Sequence, residues 1–323
     1  MPTTVVLLHG FAATPRQWDR TIAELAPDSF TPVALDLTAA APLSADGVSA
    51  LVAASTDEHF VLAGYSMGAR LALHTALAIP ARITRLVLLS ASAGIDDDGE
   101  RAARRAADES LAASIEQAPI ESFVKRWRAV ALFAGDPDWV HEEVAADERR
   151  CDPSQLAACL RGLGAGAMTP MWERLGELRM PVEVLAGADD PAYVAAGARL
   201  AAAIPDARLH TQTGVGHRLP LQAPKAVARA RGQVAPHPRP GSSRENGRAR
   251  AGAPGRESGL ARAPDQPSTP SPGPRGTAIS PRTTGSSAAA APVNSESVAR
   301  PHGGSGASAA AACSAAAIPR GPS

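Results

Sequence analysis

Along the first 230 positions, apolar residues fall into short runs at 4–8, 31–35, 60–63, 85–89, 182–186 and 207–211, each carrying β-branched residues or leucine. Between the early runs lie stretches whose apolar positions recur at helical spacing, at 17–25, 45–54 and 69–78. The central runs are apolar at nearly every position instead of every second one, the mark of strands covered on both faces. Such strands alternating with helices predict a doubly wound α/β fold on a mainly parallel sheet.

The alternation stops between about Ile95 and Trp172. There the pattern is helical throughout, at 100–115, 120–131, 138–150 and 153–162. A helical insertion between two strands predicts a cap over the C-terminal edge of the sheet, where open α/β folds bind ligands. The expected organisation is a core in two parts, 1–95 and 172–230, a helical cap at 96–171, and a tail at 231–323.

Composition separates that tail from the rest. Every Phe, Trp, Tyr and Met precedes Arg231, after which the chain is mostly Pro, Gly, Ser, Ala and Arg. Such a segment buries too little apolar surface to offset its conformational entropy, so it is expected to be disordered. The same bias arises when a GC-rich reading frame is read out of register. A frameshift near Arg231, cutting short a last helix that begins near Ala223, is therefore expected, and translating the other two frames tests it.

Formal neutrality hides opposed charges. Residues 231–323 hold 11 Arg, no Lys and 4 acidic residues, which leaves 21 basic against 28 acidic side chains in the first 230. An acidic body gives no footprint for nucleic acid, and it must bind any anion through locally focused arginines. Cys151, Cys159 and Cys313 have neither metal-ligand nor disulfide spacing. With no basic leader, signal-like segment or membrane span, a cytoplasmic location is the expectation. Oligomeric state is not legible.

The chemistry centres on Gly64-Tyr65-Ser66-Met67-Gly68, between an apolar run and a helix-like run. In that context G-x-S-x-G predicts a nucleophile elbow, with glycines that let neighbouring backbone pass and a serine held at a strained strand-to-helix turn. Serine needs a histidine to take its proton and an acid to fix that histidine's tautomer. A strand followed by Gly187-Ala188-Asp189-Asp190 offers the acid, and Gly214-Val215-Gly216-His217, after the last strand, offers the base. Serine, acid, histidine is the chain order of α/β-hydrolases. His9-Gly10-Phe11, directly after the first strand, matches an oxyanion-hole loop, so the amides of Phe11 and Met67 are the expected donors. His9 itself is expected to be structural.

Over residues 1–230 the chain resembles an α/β-hydrolase. A narrower resemblance rests on Gly64–Arg70, Ser90-Ala91-Ser92-Ala93-Gly94-Ile95, Glu100–Asp108 and Phe123-Val124-Lys125-Arg126-Trp127. These segments are similar to the 2-succinyl-6-hydroxy-2,4-cyclohexadiene-1-carboxylate synthases of menaquinone biosynthesis. The spacing from Ser66 through Arg70 and Arg104 to Trp127 matches that family without gaps. The resemblance implies catalytic Ser66, His217 and Asp190, preferred over Asp189 because it stands three residues after the turn glycine. It also implies a polycarboxylate small molecule as substrate, held by Arg70, Arg104 and Arg149 or Arg150, with Tyr65 and Trp127 lining the pocket. Guanidinium groups suit that role because they grip carboxylates in a bidentate fork. The implied reaction eliminates pyruvate and needs neither metal nor cofactor.

The chain departs from that pattern at Ala93-Gly94, where Pro-Gly is usual, and after Asp36-Leu37, which lacks the common Pro-Gly-His-Gly. It also enters its first central strand without the two edge strands that often precede it. Two other readings fit the same elbow: an ordinary serine hydrolase acting on an ester, thioester or C–C bond through an acyl-enzyme, and an inactive hydrolase fold used as a binding module.

Overall fold

A computed structural model of the protein describes residues 2–56 and 59–230. The expected tail, and the expected break in the last helix at Arg231, lie outside these residues. Six strands, β1 (Thr3–Leu8), β2 (Phe30–Leu35), β3 (Phe60–Tyr65), β4 (Ile83–Leu89), β5 (Val182–Gly187) and β6 (Ala207–Gln212), form one sheet of order β2-β1-β3-β4-β5-β6. Every pairing is parallel. The six expected runs are these strands, each extended by one or two residues.

The burial pattern shows why those runs pair as they do. β3 and β5 are buried at all six positions, as central strands covered on both faces must be. β2 carries Pro32, whose missing N–H a sheet tolerates only at its edge. Side chains alternate between two cores. Val6, Leu8, Leu62, Leu86, Leu88 and Val184 enter one, and Val5, Leu7, Val61, Ala63, Val87 and Leu89 enter the other with Trp18.

Helices α1 (Asp19–Ala23), α2 (Ala45–Ala54) and α3 (Met67–Ala78) connect the first strands. The stretch between β4 and β5 contains α4 (Asp98–Glu116), α5 (Ile120–Arg128), α6 (Asp138–Glu148) and α7 (Pro153–Leu163), with no strand among them. Their starts are written in the sequence: Asp97 caps α4 by accepting from Glu100 N at 2.8 Å, and Asp152 caps α7 by accepting from Gln155 N at 3.0 Å, with Pro153 following. α4 packs mainly on α7. After β5 come α8 (Pro191–Ala203), then α9 (Leu219–Gln222) and α10 (Pro224–Ala230).

α8 has no counterpart among the sequence-predicted helices, although Asp190-Pro191 before an alanine-rich stretch is a helix-start signal. The expected helix at 17–25 is instead a 3₁₀ turn, Pro15–Trp18, leading into the short α1. Among the described residues, no helix is long and apolar enough to cross a membrane.

The strand order reverses between β1 and β3, so their C-terminal ends open a crevice. His9-Gly10-Phe11 leaves β1 and Ser66 leaves β3 at that point, with Leu8 in register with Gly64.

Candidate active site

Ser66 occupies a backbone conformation with φ 52° and ψ −111°, which costs strain in any residue with a Cβ. Two glycines make the turn feasible. A Cβ on Gly64 would stand 2.2 Å from the Gly68 carbonyl oxygen, and one on Gly68 would stand 2.2 Å from Leu8 O and 2.5 Å from His9 O. The elbow is therefore pressed against the loop after β1. The Ser66 amide is anchored by donating to Leu89 O at 2.9 Å.

The structure brings the predicted serine, histidine and acid together. His217 Nε2 lies 3.0 Å from Ser66 Oγ, and His217 Nδ1 lies 2.7 Å from Asp190 Oδ2. An ionised carboxylate only accepts, so Nδ1 carries the proton and Nε2 is left to accept from the serine hydroxyl. Asp190 is held in place by a second contact, in which its Oδ1 accepts from Tyr193 N at 3.3 Å and caps α8. Asp190 and His217 are 4% and 1% exposed, whereas Asp189 faces solvent, so of the two aspartates only Asp190 reaches the histidine. The Tyr193 and Tyr65 rings lie 4.5 Å and 5.5 Å from the imidazole. Burial pushes the Tyr65 hydroxyl well above its ordinary range, leaving it neutral.

The oxyanion side is also assembled. Among the described residues, the Phe11 amide has no protein acceptor, and Met67, as the first residue of α3, has none within its helix. Gly10 N donates to Gln17 Oε1 at 2.8 Å, which holds the loop in place. His9 donates from Nδ1 to Gly10 O at 2.8 Å and accepts from Leu37 N at Nε2, 3.1 Å away, so both ring nitrogens are engaged.

The helical stretch supplies the facing wall. Trp127 is half-buried in a chain of rings: 5.3 Å to Phe11, 5.6 Å to Phe123 and 5.6 Å to Phe133, which in turn is 5.9 Å from His217. Arg70 is buried and donates from Nη2 to Leu163 O at 3.3 Å. Arg104 donates from Nε to Asp108 Oδ1 at 2.8 Å, pairing with the acid one turn further along α4. A Cβ on Gly164 would stand 2.6 Å from Asp108 Oδ2, so the Arg104–Asp108 pair lies against the same end of α7 that Arg70 reaches.

Arg149 and Arg150 stand farther along the helical stretch. Both are exposed at the end of α6, where Arg150 Nη1 donates to Ala146 O at 3.0 Å. The inward stripe of α6 is Val140, Val144 and Glu148, so the residue presented there is an acid. Burial pushes the Glu148 carboxyl up to about 8, against the opposing pull of Arg218, and near neutrality it adds little negative charge. Sequence reasoning missed Glu148. Phasing α6 on Val140 and Val144 would have found it. It also missed Ser90, fully buried at φ 46°, whose Oγ donates to His217 O at 2.9 Å. Cys151 and Cys159 are pushed up to about 12, chiefly by burial, and are inert as thiolates at neutral pH.

Comparisons with known proteins point to one family. The model of the alpha/beta hydrolase family matches residues 5–230. A Bacillus subtilis (strain 168) protein provisionally named 2-succinyl-6-hydroxy-2,4-cyclohexadiene-1-carboxylate synthase is 30% identical over 237 residues, covering 68% of this chain and 86% of that one. An Enterobacter sp. (strain 638) protein of that synthase name is 26% identical over 240 residues, covering 71% and 90%. Among solved structures, MenH from S. aureus superposes with a TM-score of 0.66 at 27% identity, covering 70% of this chain and 90% of that one. The enol-lactonase from Burkholderia xenovorans LB400, at 18% identity and a TM-score of 0.59, shares the fold.

Proposed function

The chain belongs to the alpha/beta hydrolase family, and from its likeness to the synthase-named relatives we propose that it is a carbon–oxygen lyase. It eliminates pyruvate from a succinyl-enolpyruvyl-hydroxycyclohexene carboxylate to give 2-succinyl-6-hydroxy-2,4-cyclohexadiene-1-carboxylate in menaquinone biosynthesis. The observation that carries this reading is a Ser66–His217–Asp190 array in a chain that also holds two arginines toward the end of α7, Arg70 donating to Leu163 O and Arg104 bound to Asp108, which lies beside Gly164. The names of the relatives support it.

In this reading Ser66, activated by His217, removes a ring proton adjacent to a carbonyl, and the proton passes to His217 Nε2. Negative charge then develops on the carbonyl oxygen, where the amides of Phe11 and Met67 receive it. Collapse of that enolate forms the ring double bond and breaks the C–O bond to the enolpyruvyl group, which leaves as pyruvate after protonation. Asp190 stabilises the imidazolium formed on the way. Arg70 and Arg104 bind substrate carboxylates, and Trp127 and Tyr65 wall the ring. No metal or cofactor enters this sequence of steps.

The same array serves a serine hydrolase, in which Ser66 attacks a carbonyl and forms an acyl-enzyme. Family membership supports that second reading equally at the level of the array. Arg70→Ala separates the two when assayed on the enolpyruvyl polycarboxylate and on a neutral p-nitrophenyl ester. The lyase reading expects pyruvate release by the wild type and a loss confined to the anionic substrate in the variant. Absence of pyruvate release alongside brisk ester cleavage sinks it.

A further inference from the structure

The loop that carries His217 is held from two directions. On the sheet side, Ser90 Oγ donates to the His217 carbonyl and Asp189 N donates to Val215 O at 3.0 Å. On the other side stands one residue of the helical stretch, Asp136, in the turn before α6. Its Oδ2 accepts from Arg218 Nε at 2.7 Å and its Oδ1 from Gln222 Nε2 at 2.7 Å. Gln222 Oε1 in turn accepts from Gly216 N at 3.1 Å. The residues immediately before and after His217 are thus both tied to a single carboxylate more than eighty residues earlier in the chain.

This network is enclosed. The side chains of Arg218 and Asp136 are 6% and 2% exposed, and the Arg218 guanidinium lies 3.8 Å over the Phe133 ring. Burying an ion pair costs desolvation that packed apolar side chains would avoid, so stability alone is a weak reason for one here. What this arrangement adds is direction. Two hydrogen bonds on one carboxylate set the loop's position against Phe133, which itself sits beside His217 and Trp127.

We propose that Asp136 is a positioning residue: through Arg218 and Gln222 it aligns His217 with Ser66 and makes that alignment depend on the seating of the helical stretch that faces the substrate. The inference rests on the Ser66–His217 array but not on the substrate assigned above. A helical stretch engaged by the correct substrate then presents the base correctly, and one displaced by a poor substrate does not.

The test uses a readout that needs no substrate: the second-order rate at which a fluorophosphonate labels Ser66 in the full-length protein, followed against pH, with circular dichroism as the check on folding. His217→Ala sets the zero. The charged and titratable groups facing His217 and the Asp136–Arg218 pair are Asp190 and Tyr65 from the sheet edge, Tyr193 from α8, and His141 and Glu148 from α6, which interact with Arg218. Asp136→Asn keeps the shape but removes the charge, leaving the Arg218 guanidinium, which lies over the Phe133 ring that adjoins the imidazole, without its carboxylate partner. Labelling at neutral pH is expected to fall about tenfold or more, because the base is misaligned. The acid limb is expected to move to lower pH, because an uncompensated cation disfavours the imidazolium.

In Asp136→Asn/Arg218→Gln the acid limb returns toward its wild-type position while labelling stays slow. A role in packing alone would lower thermal stability without moving that limb. Wild-type labelling rates and an unmoved limb in folded Asp136→Asn overturn the proposal. If that variant does not fold, wild-type labelling in the charge-free double variant does the same. Failure of the wild type to label at all overturns both the array and this inference. Wild type that labels but releases no pyruvate, with the dependence on Asp136 intact, supports the inference and removes only the substrate assignment.

Discussion

The sheet edge and the helical stretch build the site in opposite ways. At the sheet edge, Ser66, His217 and Asp190 stand in turns that directly follow β3, β6 and β5, and each is locked by backbone hydrogen bonds or a helix cap. Their mutual distances are 3.0 and 2.7 Å. On the helical side, Arg104 is held by Asp108 and Trp127 by stacked rings, while Arg70 reaches that side from α3 by donating to Leu163 O. In the proposed reading, reactivity belongs to the connectivity of the sheet, whereas recognition belongs to side chains on helix faces that can be exchanged without disturbing it. One fold can host several reactions for this reason.

The sharpest way to break that division is at the serine. Ser66→Ala should lower both pyruvate release and ester cleavage by about 10⁴-fold or more while circular dichroism stays unchanged. Activity within tenfold of wild type would mean that the sheet edge does not carry the chemistry. Gly68→Ala tests the scaffold instead. Its Cβ would meet backbone oxygens of Leu8 and His9, which cannot swing aside, so a loss of about 3 kcal/mol or more in unfolding free energy is expected in urea melts. A variant as stable as wild type would show that the elbow is not wedged against the β1 loop.

Arg104→Ala addresses the other side of the comparison. It should raise KM for the polycarboxylate about 10- to 100-fold, the scale of one charge-assisted contact, and leave turnover of a neutral ester within about twofold. Equal losses on both substrates would place Arg104 in the scaffold with Asp108, and its assignment to recognition would fall.

The same division explains what the sequence discloses. Parallel strands buried on both faces leave continuous apolar runs, and a nucleophile elbow needs glycine at two fixed offsets, so β3, Ser66 and the loop from His9 to Phe11 are visible as patterns. Asp190 is visible as an acid after a strand, and its second role as the cap of α8 is written in the proline that follows it. The helical side leaves a fainter trace. Arg101, Arg104 and Arg105 share a helix, and only three-dimensional packing separates Arg104, against α7, from Arg101, which pairs with Asp98. Arg149 and Arg150 match an anion site in residue type but fall one and two positions past the inward stripe of α6. Asp136 and Arg218 are 82 residues apart, and no local pattern links them.

The smallest effect concerns that inward stripe. A carboxyl raised from 4.5 to about 8 by burial binds its proton more tightly in the folded protein than in the unfolded chain. Its cost to stability is therefore absent below about pH 4.5, grows as pH rises toward 8, and is complete above that. At about 1.4 kcal/mol for each tenfold gain in proton affinity, the total amounts to a few kcal/mol. Glu148→Gln keeps the shape of the neutral acid and removes the titration. Thermal midpoints of variant and wild type should nearly coincide at pH 5 and separate by several degrees in favour of the variant at pH 9. A gap that does not change with pH would show that Glu148 is ionised in the folded protein. In that case α6 would present a buried negative charge on the helical side, and the proposal that this side receives an anionic substrate would have to be given up.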